Sequence, residues 1–129
     1  MKNQARQGLG EIFQELKKIL EEYAPPLSVR EDGTKNYHLW SVKDLVIDGR
    51  KRKEVYFAGL IVQSSYVGFY FMPVYSDPGE FKDVFPPELA SLLKGKSCFH
   101  IKKLDPSLKQ QIKSALQAGF TLYKNRGWI

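Results

Sequence analysis

Apolar residues at positions 9, 12, 13, 16, 19, 20 and 23 recur at the i, i+3, i+4, i+7 spacing of one helical face, which predicts an amphipathic helix over residues 9–23. Glu11, Glu15, Lys17, Lys18, Glu21 and Glu22 fall on the opposite face, and Pro25-Pro26 ends the run because the residue before a proline is pushed out of helical geometry. Residues 27–36 are polar, with a turn signal at Asp32-Gly33 and room for a short edge strand near 27–30. Residues 37–47 read as a strand of mixed faces ending at the favoured turn pair Asp48-Gly49, and the basic run 50–53 is expected to lengthen that connection. Beyond Glu54 no charged side chain occurs before Asp77.

This uncharged stretch predicts two strands, 55–63 and 66–75, folded back through Gln63-Ser64-Ser65-Tyr66. Simple alternation puts Val55, Phe57 and Ile61 on one face and Ala58, Leu60 and Val62 on the other. Both sets are apolar, so both faces of the hairpin are expected to be at least partly covered, one of them by the first helix. With residues 37–47 the pair forms an antiparallel meander. A short helix is expected near 80–84. Pro86-Pro87 opens another helix over 86–95, closed by Gly95, and a strand follows at 97–103. Asp105-Pro106 supplies an N-cap and first-turn proline for a final helix reaching about residue 125. The expected architecture is one α+β domain over 1–129, a mainly antiparallel sheet flanked by N-terminal and C-terminal helices.

A membrane span of the uncharged stretch is not expected, because Gln63, Ser64 and Ser65 would lie at its centre. The single cysteine rules out an internal disulfide and suits a reducing, cytoplasmic setting; residues 1–8 are polar and do not resemble a secretory leader. A net charge of +6 permits acidic partners without requiring them.

The order of elements, the central strand Phe57-Ala58-Gly59-Leu60, its aromatic partner Gly68-Phe69-Tyr70-Phe71, and the segment Leu93-Lys94-Gly95-Lys96-Ser97-Cys98-Phe99-His100-Ile101 together resemble the YdhG-like domains of unknown function (domain of unknown function 1801). The resemblance covers nearly the whole chain. It implies a small cytosolic α+β fold, frataxin-like in shape, and an iron-accessory role like that proposed for one member. In this chain the acids of the first helix are interleaved with Lys17 and Lys18.

Cys98 and His100 are two apart on a strand and so share a face, and with His38 they form a candidate thiolate–imidazole set for a soft metal or for nucleophile–base chemistry. Against it, a lone cysteine is usually a buried small hydrophobe, and no orienting third group is evident. Aromatics that include Tyr37, Trp40, Tyr56, Tyr66, Tyr70, Tyr75 and Trp128 suit either a core or a pocket wall. Arg50, Lys51, Arg52 and Lys53 are a basic patch at a hairpin tip, where like charges are usually simply solvated. Phosphate-binding glycine loops, nucleophile elbows and zinc-protease motifs are absent from the sequence.

The leading expectation is a non-enzymatic module, with no cofactor, that binds a small apolar or aromatic ligand or pairs with a second copy through its aromatic sheet surface. The candidate residues are His38, Trp40, Tyr56, Gln63, Tyr70, Cys98 and His100. A metal-accessory role and weak electrostatic association with nucleic acid through residues 50–53 stand as alternatives, nucleic acid not being the favoured partner.

Overall fold

The computed structural model describes residues 8–81 and 83–129. The reading of residues 1–8 lies, but for Gly8, outside them. The elements run α1 (Leu9–Glu21), β1 (Ser28–Arg30), β2 (Asn36–Ile47), β3 (Arg50–Val62), β4 (Val67–Phe71), α2 (Met72–Ser76), α3 (Pro78–Phe81), α4 (Pro87–Ser91), β5 (Leu93–Lys94), β6 (Cys98–Ile101) and α5 (Pro106–Asn125). The strands form one six-stranded antiparallel sheet in the order β1-β2-β3-β4-β6-β5.

The two long helices start where the sequence places them. Glu11 reaches back to the Gly8 amide at 3.3 Å, and the Asp105 carboxylate accepts from the Leu108 amide at 2.8 Å ahead of Pro106. The apolar stripes of α1 (Ile12, Phe13, Leu16, Ile19, Leu20) and α5 (Leu108, Ile112, Ala115, Leu116, Tyr123) are buried in a single core with the sheet. Gly119 lets α5 approach closely: a Cβ there would lie 2.6 Å from Phe71 Cζ and 2.8 Å from Pro73 Cγ.

The meander is as expected, but its faces are not. Leu39 pairs with Ala58 while Trp40 pairs with Tyr56, so Phe57 is an extra residue in β3, a β-bulge. Phe57 packs on Tyr23, Phe71, Phe120 and Tyr123, and Ala58 lies opposite Phe71, so two consecutive side chains enter the helix-covered side. Val55, Phe57, Ala58, Leu60 and Val62 therefore share one face, and Tyr56, Gly59 and Ile61 take the other. The expected split of these residues is corrected; the second face is half-buried at Tyr56 and Ile61. One bulge explains why the strand does not alternate. The helices pack on the face of Phe57, Leu60, Phe69, Phe71 and Phe99, all fully buried.

Five boundaries also move. Arg50, Lys51, Arg52 and Lys53 belong to β3, because Asp48 and Gly49, at φ 52° and 77°, form a two-residue turn with Ile47 paired to Arg50. The strand expected to reach 75 stops at Phe71, since Pro73 has no amide for a ladder and instead sits in the first turn of α2. The helix expected over 86–95 ends at Ser91, and Leu93-Lys94 pairs with β6, which is itself shorter than 97–103. The short helix expected near 80–84 is α3, ending at Phe81. Among the described residues no helix is long and apolar enough to cross a membrane.

Candidate functional site

The face opposite the helices is laid out by the ladder register, because direct cross-strand partners point to the same side. One row reads Arg30, His38, Gly59, Tyr70, Cys98 and Lys94 across all six strands. A second reads Asn36, Ile61, Gly68 and His100, and a third Ser28, Trp40 and Tyr56. Of the candidate residues, His38, Trp40, Tyr56, Tyr70, Cys98 and His100 thus lie on this one face. Gln63, just past the end of β3, joins them through a hydrogen bond to the Tyr70 hydroxyl. Trp40, Tyr56, Tyr70, Cys98 and His100 are all half-buried. Tyr37 and Trp128 are not part of it: Tyr37 is buried on the helix side beneath Lys17, and Trp128 packs edge-on against Tyr123.

At the centre His38 Nδ1 lies 2.7 Å from the Tyr56 hydroxyl. Nε2 lies 3.3 Å from Asn36 Oδ1 and 4.0 Å from the Glu31 carboxylate. Both of these oxygens can only accept, so Nε2 carries the proton and Nδ1 accepts from the Tyr56 O–H. Gly59 makes the pair possible. A Cβ there would stand 2.1 Å from the Tyr56 oxygen and 2.2 Å from His38 Nδ1. Gly68 likewise admits the Tyr70 ring, whose Cε2 would be 3.0 Å from an added Cβ. Trp40 meets Tyr56 edge-on at 5.1 Å and is covered by the Arg30 guanidinium at 5.0 Å. Glu54 holds that guanidinium through two hydrogen bonds of 2.6 and 3.1 Å. On the far side of Tyr70, Tyr66 and His100 stack at 3.8 Å.

The electrostatics of the face run in one direction. Burial lowers the His38 pKa, with Glu31 opposing. Burial raises the pKa of Tyr56, helped by Tyr70, Glu31 and Cys98 nearby. Burial raises Tyr70, and it raises the Cys98 thiol against the hydrogen bond from Tyr70. Each shift favours the uncharged form at neutral pH. The result is a neutral aromatic floor bearing hydrogen-bonding groups, with neither a thiolate nor a phenolate to act as nucleophile.

His38, Trp40, Tyr56 and Tyr70 line a hollow of about 340 Å³ with Asn36, Ile61, Met72 and Glu31. Gln63, Cys98 and His100 extend the face past Tyr70 and do not border the hollow. His38 and Cys98 share a row but are separated by three strand spacings, roughly 14 Å at about 4.8 Å each. They do not form a thiolate–imidazole pair. Among the described residues no three His, Cys, Asp or Glu side chains come together as a metal site. Arg50, Lys51, Arg52 and Lys53 are exposed on β3 and lie outside the hollow.

Glu31, Asn36, Ile61, Met72 and Ser97 also line the hollow and are not among the residues expected from the sequence. Asn36 had a signal, its two-residue spacing from His38 on one strand. Glu31 had none. It takes φ 56°, a left-handed conformation rare for a residue with a side chain, and stands at the rim beside His38.

The neutral histidine makes a pH prediction. An unfolded chain protonates its histidines near 6.5, above the lowered native value. Between the two the unfolded state binds more protons, so stability rises with pH there and is lost on acidification. Denaturant midpoints should fall between pH 7.5 and 5.5, and His38→Gln should shrink that fall. Equal falls in the two proteins would show that His38 is not the group responsible.

No protein-family model matches the chain, and neither a curated protein nor a solved structure does.

Proposed function

We propose that this chain is a non-enzymatic binding module whose uncovered sheet face takes a small planar ring compound. The observation that carries the reading is the hollow over Gly59. Its walls are aromatic and apolar, its inward polar groups are neutral, and its charged lining residue is the Glu31 carboxylate. Such a site suits a flat ring that stacks between Trp40, Tyr56 and Tyr70 and turns an N–H edge or a single positive charge toward Glu31 and Asn36. The YdhG-like resemblance belongs to the same proposal, on residues 93–101 above all.

Benzamidine, indole and benzoate serve as probes, being flat and respectively cationic, neutral and anionic. Benzamidine and indole should shift the NMR signals of the Trp40 indole and the His38 ring saturably, and benzoate should not. Trp40→Ala should weaken benzamidine binding at least tenfold, about 1.4 kcal/mol. The reading fails if none of the probes perturbs these residues at millimolar concentration. It fails equally if sedimentation finds a dimer that Trp40→Ala dissociates, since a second copy would then occupy the face.

A further inference from the structure

β3 runs from Arg50 to Val62, yet β4 pairs with only Ala58 to Val62 before the chain turns away into α2. Among the described residues, β3 from Arg50 to Phe57 has β2 on one side and no strand on the other. Among the described residues no backbone hydrogen bond reaches that edge, and the Tyr123 hydroxyl donates to the Tyr56 carbonyl at 2.8 Å. The vacated strand position opens into a cleft of about 1090 Å³.

One wall of the cleft is the β3 edge with Arg52 and Val55; the others come from α2, the turn after β5 and the end of α5. Val74 and Trp128 make it apolar, and Val46 and Tyr75 stand at it 66% and 52% exposed. Its charge is uneven. Arg126 is neutralised by Asp77; among the described residues Arg52 and Lys96 have no carboxylate within salt-bridge distance, and with Arg50, Lys51 and Lys53 along the edge they outnumber the lining Asp48.

We infer that this cleft receives an extended acidic peptide from a partner protein, added as a strand alongside residues 50–57 of β3. An unpaired edge offers alternating N–H and C=O groups at a strand's own spacing, which another strand satisfies and a nucleic-acid backbone does not. Apolar side chains of the guest on one face would rest on Val55 and Val74, and acidic ones on the other would meet Arg52 and Lys96. The site is separate from the ring-binding hollow, the two sharing only Met72.

Register supplies a sharp test. The two-residue turn makes Ile47 and Arg50 exchange hydrogen bonds, so the Lys51 amide points out to the open edge. The probes are a six-residue peptide alternating glutamate and valine, a lysine–valine counterpart, and a dodecamer of thymidylate. The glutamate peptide should bind and slow hydrogen exchange at the Lys51 amide, and the lysine peptide should not bind. Arg52→Glu combined with Lys96→Glu should weaken binding at least tenfold with the circular dichroism unchanged. Lys51→Pro, which removes the outward donor, should weaken it more than Lys51→Gln, which removes only the charge. Trp40→Ala should leave peptide affinity as it is, keeping this result distinct from that for the hollow. Absence of protection along 50–57, equal effects of Pro and Gln, or binding of the dodecamer in place of the peptide would each overturn the inference.

Discussion

Replacing Phe71 with alanine is expected to destabilise the protein by about 3–5 kcal/mol, the usual range for emptying a buried phenylalanine site. Phe71 is fully buried where β4 gives way to α2, and its ring meets Phe57, Phe69, Phe81 and Phe85 at centroid distances of 5.5 to 6.3 Å. These neighbours come from two strands and from the α3–α4 region, so no single movement closes the hole. The same ring determines what Gly119 tolerates. Alanine inside a helix normally gains about 1 kcal/mol over glycine. Here the new methyl would meet the Phe71 ring and Pro73, and overpacking costs about 1–3 kcal/mol, so Gly119→Ala should come out neutral to destabilising. In the Phe71→Ala background the ring's share of the clash disappears. Gly119→Ala should then be milder by at least about 1 kcal/mol, read as a coupling energy from urea unfolding of the four proteins. Strict additivity would mean that α5 is not seated on this ring.

Gly59→Ala should abolish ring binding while preserving every side chain that lines the hollow. Its methyl would occupy the space where the Tyr56 hydroxyl and His38 Nδ1 meet, so the hydrogen bond between them must open. Leaving such a partly buried pair unsatisfied costs about 1–3 kcal/mol. The loss of binding should exceed what that destabilisation explains, because His38 and Tyr56 are displaced into the hollow. The His38 pKa, read by NMR, should climb back toward the ordinary value as the ring leaves its buried position. An unchanged His38 titration together with undiminished benzamidine binding would refute the arrangement around Gly59.

The two long helices were legible because their signals are local: a stripe at helical spacing, a proline pair after α1, Asp105-Pro106 before α5. The Asp48-Gly49 turn was legible for the same reason. What lay beside it was not. Four consecutive cations look like a solvated loop, yet Arg50, Lys51, Arg52 and Lys53 extend a strand whose partner, β2, reaches just as far. The candidate residues were recognisable by type, and strand periodicity placed Cys98 beside His100. Their position on the uncovered face was hidden by the bulge at Phe57, since a reader counting by twos puts Phe57 and Ala58 on opposite sides. Pro73 carried enough information to end β4 early, but the aromatic and β-branched residues around it outweighed it.

The bulge also sets how this strand tolerates changes in length. Because Phe57 is the extra residue of β3 against β2, deleting one residue of Phe57-Ala58 would restore plain alternation and leave Tyr56 and Gly59 facing as they do now. A deletion elsewhere in the strand, between Gly59 and Val62 for instance, would instead reverse the facing of everything on one side of the cut. Chain-length variation is therefore most tolerable at Phe57-Ala58, and related sequences should differ in length there before anywhere else in β3.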